Sequence, residues 1–552
     1  MMSDASNTAT AEFRAAAHAA IDDLLAANPV SATSMGDHRF DDRLPDRTPD
    51  AVADLVTRLD DHLTRLDAVD DVELELSDLV DLEILRSKIT AMRFDLAEVR
   101  RHVWDPLTWN PATAIYLLTA RDFAPADARM ESAAARLAEI PAYLADARAT
   151  LGEMSGIHTE TAIGQLGGFA RVVDEVRALA QSCGMDVSQL ADTACESVAE
   201  HVVWLTDQLP SAQRDPRLGV RLYSAAVWHH LDEEIGPGEI LEAAEAHLDD
   251  TTARMRELAA EFMGEKPVAG IVRRALDRIA AEAPVTDATI LGLSADALQR
   301  TTRFVRESGL VSVPELDTRI IEMPEIHRGI AVAYCDAPGP LETADVATYV
   351  AVAPTPDDWP TDRVESFYRE YNGTLLHDLM IHEAMPGHVL QLAHARRLDA
   401  MTPVRRFGYS GVFVEGWAVY AEEQMALAGY TPDDRPDSQL RLELQRLKMS
   451  ARMALNAILD ARVHGGDISE PEALDLMQRR GFQEEGEARG KWRRALLTAA
   501  QLPTYFVGWR AVRSIGDDLR VLHPDWTQQQ VHDLMLSKGS PGPRHLRSLL
   551  GL

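Results

Sequence analysis

Basic residues are scarce in this chain: 55 Lys and Arg stand against 88 Asp and Glu, a formal net charge of −33 over 552 residues. Following a phosphate backbone needs clustered positive charge, so nucleic acid is excluded as a partner. Cysteine is scarcer still. Cys183, Cys195 and Cys335 are too few and too scattered for a disulfide framework or a thiolate metal site, and they read as buried reduced thiols. No run approaches eighteen apolar residues, which argues against any membrane span. The opening MMSDASNTATAEFRAAAHAA has neither the basic start nor the apolar stretch of a secretory signal, so the expected location is cytoplasmic. Phosphate loops of the GxxxxGK[ST] type and GxSxG nucleophile elbows are also missing, and Gly408-Tyr409-Ser410-Gly411 does not fit the latter. Nucleotide-driven and serine-hydrolase chemistry fall away with them.

What is present is a large helical pattern with enough apolar content, 46%, for an extensive core. Residues 11–27, 50–68, 75–98, 126–150, 165–182, 186–208, 239–263 and 294–308 repeat apolar positions at three- and four-residue steps. Near 311 the pattern changes. TRIIEM, GIAVAYC and ATYVAVAP alternate and are rich in β-branched residues, as short strands are, and helices resume from about 362. The chain thus divides into an N-terminal helical region, 1–310, and a region 311–552 that opens with a small sheet at about 311–354, together making one continuous fold. The expected class is mostly α.

Directly after the sheet comes His382-Glu383-Ala384-Met385-Pro386-Gly387-His388. In the HExxH zinc motif the histidines are four apart on one helical face, with the glutamate beside them as general base. Here they are six apart, which on a straight helix sets the imidazoles roughly 120° apart around the axis. Pro386 breaks the helical hydrogen bonding and Gly387 permits the backbone angles that would return His388 to His382. Taken alone, the segment reads equally well as a helix end with incidental His-Glu and His.

Downstream, Glu415 and Glu422 in FVEGWAVYAEE lie seven apart and therefore on one helical face. Glu415 is the candidate third metal ligand, leaving a fourth position for water; Glu422 would orient a ligand histidine. An amphipathic helix with solvated acids would show the same spacing.

HEAMPGHVLQ followed by EGWAVYAEE resembles the bacterial "domain of unknown function 885" family of candidate zinc metallopeptidases. NPVSATSMGDHRFDDRLPD near the start is similar to that family's opening segment. LDARVHGGDIS, PTYFVGWRAVRSI and VHDLMLSKGSPGPRHLRSLL are similar to its closing ones. Val389 stands where many relatives carry a second histidine, and Gln501 to Tyr505 replace a glycine-rich or PGQ-like segment. The resemblance implies a large helical zinc-peptidase-like fold with a deep central channel suited to short peptides. It also implies zinc as cofactor, His382, His388 and Glu415 as its ligands, and Glu383 as general base.

The function expected is that of a zinc-dependent peptidase, either carboxypeptidase or oligopeptidase, in which zinc activates water and Glu383 accepts its proton. A non-peptide amide hydrolase and an inactive peptide-binding scaffold are the alternatives. The developing oxyanion needs a second donor, for which His464 and Tyr505 are candidates beside Arg462. Arg462 could instead hold a substrate carboxylate. Each has a plainer reading: His464 as a helix cap, Arg462 paired with Asp460, Tyr505 in the core. The strand ATYVAVAP is either a substrate-pairing edge or a structural one. Two further groups read as surface: Asp378, one turn before His382, and the stretch Trp228 to Glu234, whose adjacent histidines point to different faces.

Overall fold

The computed structural model describes residues 4–324, 332–356, 359–398 and 401–552. It is mostly helical with one three-stranded sheet. The eight expected helical stretches are all helix. The stretch 165–182 is interrupted at Gly167 and Gly168, and the stretch 75–98 ends in a π turn, Asp95–Val99. Five further α-helices before residue 311 were not marked by the pattern: Pro29–Met35, Ala112–Thr119, Gly156–Leu166, Gly219–Leu231 and Ile271–Glu282. No helix among the described residues is long and apolar enough to cross a membrane.

The chain forms two compact units. The first comprises Met1–Pro216 with the short segments Pro338–Val346 and Thr402–Gly408. Its opening motif is built by local chemistry. Asn28 caps the helix Pro29–Met35, whose first residue is a proline that needs no N–H donor there, and Gly36 ends it in the left-handed region at φ +86. A Cβ on Gly36 would lie 2.3 Å from the backbone of Glu342, so only glycine fits. His38 then joins Asp41 at 2.8 Å and Glu342 at 3.0 Å.

The second unit comprises Arg217–Ala337, Ala347–Met401 and Tyr409–Leu552, so the change of pattern near 311 lies inside it. Its two largest packings are of helix Pro237–Met263 along Ser438–Gly465, and of Gly411–Leu427 along Thr504–Leu522. The latter pair meets through Gly416 and Gly508. A Cβ on Gly416 would stand 2.3 Å from the Gly508 carbonyl carbon, and one on Gly508 2.1 Å from the Val412 oxygen. Backbone thus packs on backbone, a separation no larger residue permits.

The sheet has the order β1 (Thr318–Glu322), β3 (Thr348–Val352), β2 (Ala333–Asp336). Strand β3 runs parallel to β1 and antiparallel to β2. ATYVAVAP is therefore the central strand and is no edge at all: both sides of its backbone are taken, so it cannot pair with a substrate. Strand β2 is an edge, and it lies against the helix that ends at Glu383. The Gly329 to Ala331 part of the expected strand GIAVAYC lies outside the described residues.

Candidate metal centre

HEAMPGH spans the break between two helices, Gly373–Glu383 and His388–Arg396. Asn372 starts the first by accepting the N–H groups of Thr374 and Leu375, each at 3.2 Å. At Gly387 the chain folds back so tightly that a Cβ there would lie 1.8 Å from the His382 carbonyl oxygen. Its own N–H donates to the Ile381 carbonyl at 2.9 Å. The six-residue spacing is thereby closed: the His382 and His388 rings stand 4.8 Å apart, almost perpendicular.

Glu415 arrives from the helix Gly411–Leu427, whose first turn Ser410 caps. Its Oε2 lies 3.4 Å from His382 Nε2 and 3.5 Å from His388 Nε2. These three residues present one ligand atom each within 4.8 Å of one another, as a shared metal ion requires. Glu422, two turns along, accepts from His382 Nδ1 at 2.7 Å. A carboxylate can only accept, so Nδ1 carries a proton, and in the neutral ring this leaves the Nε2 lone pair facing Glu415. His388 Nδ1 has no hydrogen-bond partner, nor has Glu415 Oε2, although both atoms are buried. A buried carboxylate oxygen left between two imidazole nitrogens is what an absent cation would satisfy.

Among the protein groups alone, burial opposes charge on His382, but the nearness of Glu415 and the hydrogen bond to Glu422 outweigh that and hold the imidazole well above its usual range. Burial likewise opposes charge on Glu415, and the attraction of the two nearby histidines prevails, holding the carboxyl well below its usual range. Glu383 goes the other way. Burial raises it, with Glu415 adding to the effect against the two histidines. Its Oε2 accepts the Cys335 N–H from the edge strand β2 at 2.9 Å, which fixes the side chain.

Tyr505 opens the helix Thr504–Leu522. Burial raises its hydroxyl, and the Glu415 carboxylate acts in the same direction, which brings the phenol within electrostatic reach of the ligands. Arg494 donates to its oxygen at 3.4 Å. The phenol oxygen accepts this bond, which does not engage its own hydroxyl proton.

The other two candidates are engaged elsewhere. His464 receives the Leu218 N–H on Nδ1 at 3.2 Å and donates from Nε2 to the Thr498 carbonyl at 2.7 Å. With both ring nitrogens committed, it braces the helix end rather than offering a donor to an oxyanion. Arg462 turns to Asp467, 3.5 Å from its carboxylate and 3.2 Å from its carbonyl, and not to Asp460. Asp378 is not exposed: it is 2% accessible, and burial and the neighbouring Glu422 push it well above the usual carboxylate range. In Trp228 to Glu234, Asp232 ends its helix in the left-handed region and binds Arg544 and His545, a structural duty.

Sequence reasoning assigned no role to Trp417, whose indole N–H donates to the Pro386 carbonyl at 2.9 Å. It also missed the contact of β2 with Glu383, because a backbone N–H leaves no mark in residue types.

Two solved structures are similar over the whole chain. A candidate lipoprotein of unknown function from Shewanella oneidensis is 27% identical, with a TM-score of 0.81 over 98% of this chain and 100% of its own. A candidate lipoprotein from Colwellia psychrerythraea, 15% identical, superposes with a TM-score of 0.79 over 100% of this chain and 99% of its own, and so shares the fold. No curated protein matches the chain significantly. Residues 29–550 match the bacterial family of unknown function that carries the number 885, and the chain belongs to that family.

Proposed function

We propose that this chain is a zinc-dependent hydrolase of amide bonds, acting as a peptidase on short peptides. The observation that carries the reading is the convergence of His382, His388 and Glu415 on one point, with Glu383 next in the chain to a ligand. Two imidazoles and a carboxylate make a donor set that suits zinc, and the orphaned Glu415 Oε2 fits a cation. Bound there, zinc would supply Lewis acidity at a carbonyl oxygen and lower the pKa of water.

The protein's own groups divide the remaining work. Glu383, raised by burial and anchored through one oxygen by Cys335, takes a proton from the attacking water and returns it to the leaving amine. Tyr505 donates a hydrogen bond from its hydroxyl to the carbonyl oxygen as that oxygen gains charge, and keeps its proton throughout. Glu422 holds the His382 ring in its ligand tautomer. A zinc-peptidase type of fold with a channel for extended peptides belongs to the same proposal. So does location, for which the lipoprotein description of the two neighbours favours the cell envelope over the cytoplasm; cell fractionation decides between them.

Elemental analysis of purified protein tests the centre. About one zinc per chain is expected, lost in His388→Ala and Glu415→Ala. Glu383→Gln should keep the metal and lose cleavage of a peptide library; retained cleavage would remove Glu383 from its role. Absence of metal after zinc reconstitution overturns the reading and favours the inactive scaffold.

A further inference from the structure

Helix Glu485–Leu497 carries Glu487, Lys491 and Arg494 at four- and three-residue steps, so the three share a face. Glu487 already has its partners: the Arg452 guanidinium, and the Tyr371 hydroxyl at 3.2 Å. The other buried acid nearby, Glu370, holds Lys448 at 2.9 Å. Lys491 is left over. It is 5% exposed and makes no hydrogen bond or ion pair among the described residues. Arg494, one turn on, donates only to neutral oxygens, Gln501 Oε1 at 2.9 Å and the Tyr505 hydroxyl at 3.4 Å.

An unpaired ammonium out of water is among the least favourable groups a fold can contain. Burial pushes Lys491 well below its usual range, and the repulsion of Arg452 and Arg494 adds to it against the attraction of Glu487 and Glu370. The two acids near it, Glu487 and Glu370, are already bonded to Arg452 and Lys448, so Arg452, Lys448, Lys491 and Arg494 share two carboxylates. The shortage also has a definite place. Arg494 touches Tyr505, and Tyr505 is the phenol that feels Glu415 and His382. Arg494 thus lies one side chain away from the cluster of His382, His388 and Glu415, with Lys491 one turn before it, and neither forms an ion pair of its own among the described residues.

We propose that Lys491 and Arg494 receive a free carboxylate carried by the substrate, so that the peptide is held by its charged end while its amide lies at the metal centre. The inference rests on the hydrolase reading for that second clause only. Carboxylate recognition by an ammonium and a guanidinium is a charge-assisted, partly bidentate contact. The carboxylate is supplied either by the C terminus or by an acidic side chain, and both provide the missing negative charge.

Binding can be measured apart from cleavage. Calorimetry on chelator-treated full-length protein would compare N-acetyl-Ala-Ala with its C-terminal amide, and then with N-acetyl-Ala-Glu amide. At least tenfold tighter binding of either carboxylate ligand than of the neutral amide is expected, the stronger one naming the source. Lys491→Met should abolish that preference and Lys491→Arg should keep it. Methionine replaces an unpaired charge with a similar shape, so Lys491→Met is expected to fold with a Tm at or above that of the wild type. Equal binding of acid and amide, no measurable binding of any of the three, or an unchanged preference in Lys491→Met would overturn the proposal. Discriminating binding without any cleavage by the zinc-loaded protein would leave it standing and reject the hydrolase reading instead.

Discussion

Trp417 reaches from the helix that supplies Glu415 and donates its indole N–H to the carbonyl of Pro386 at 2.9 Å. The helix that brings the third ligand therefore also pins the turn that returns His388 to His382. Trp417→Phe keeps most of the buried volume and leaves the Pro386 carbonyl without its donor. A loss of about 1–3 kcal/mol is expected from denaturant titration, with weaker zinc retention against a competing chelator. Unchanged retention would show that the turn holds itself.

Gly387 is demanded by proximity, since its φ of −73 is one any residue adopts. Gly387→Ala forces a Cβ into the His382 carbonyl. Overpacking of this kind costs about 1–3 kcal/mol, and here the strain falls on the turn between two ligands. Zinc content should drop while the helical circular dichroism persists. Full zinc occupancy in this variant would contradict the geometry.

Glu422 acts on His382 through a single hydrogen bond. Removing such a partner lowers metal affinity by about 10–100-fold. Glu422→Ala is expected to show this loss, and Glu422→Gln a smaller one because its amide oxygen still accepts. Chelator competition separates the two variants.

Tyr505→Phe removes the proposed donor without touching a ligand. The expected result is a kcat lower by about 10²–10³, with zinc content unaltered and KM little changed. A shift in KM alone would assign Tyr505 to ground-state binding.

Asp460 is fully buried, and burial pushes its carboxyl from an ordinary 3.8 up to about 7. Between those values the unfolded chain gives up a proton that the folded chain keeps. Its contribution to stability is thus complete below 3.8 and is lost as the pH rises through 7. Asp460→Asn stays neutral and still offers an oxygen to the Ala500 N–H. Thermal melts across this range should fall with pH in the wild type and less so in the variant. Parallel curves would mean that Asp460 ionises normally.

The convergence of His382, His388 and Glu415 was legible because its chemistry is local: two histidines six apart need a Pro-Gly turn, and two glutamates seven apart share a helical face. Asp378 was misjudged because an acid beside a ligand on a helix reads as solvated, whereas Gly373–Glu383 is buried on all sides. Lys491 and Arg494 escaped notice for a related reason. Charges three and four apart on a helix are the ordinary signature of a wet face, and only the tertiary structure shows that this face is buried and that its acid, Glu487, is already bonded to Arg452. Strand composition identified the sheet, but not its order, which depends on pairings far apart in the chain. His464 and Arg462 carried the right chemistry at a helix end whose direction the sequence could not give.

Gly416 follows Glu415 directly, and Gly508 lies three residues beyond Tyr505. Because the two helices touch at these glycines with no side chain between them, there is no compressible layer to absorb a change in their spacing. The ligand carboxylate and the phenol are consequently gauged from the same contact, like two marks on one ruler. Motion of either helix carries both along, so their separation stays constant while the rest of the molecule breathes.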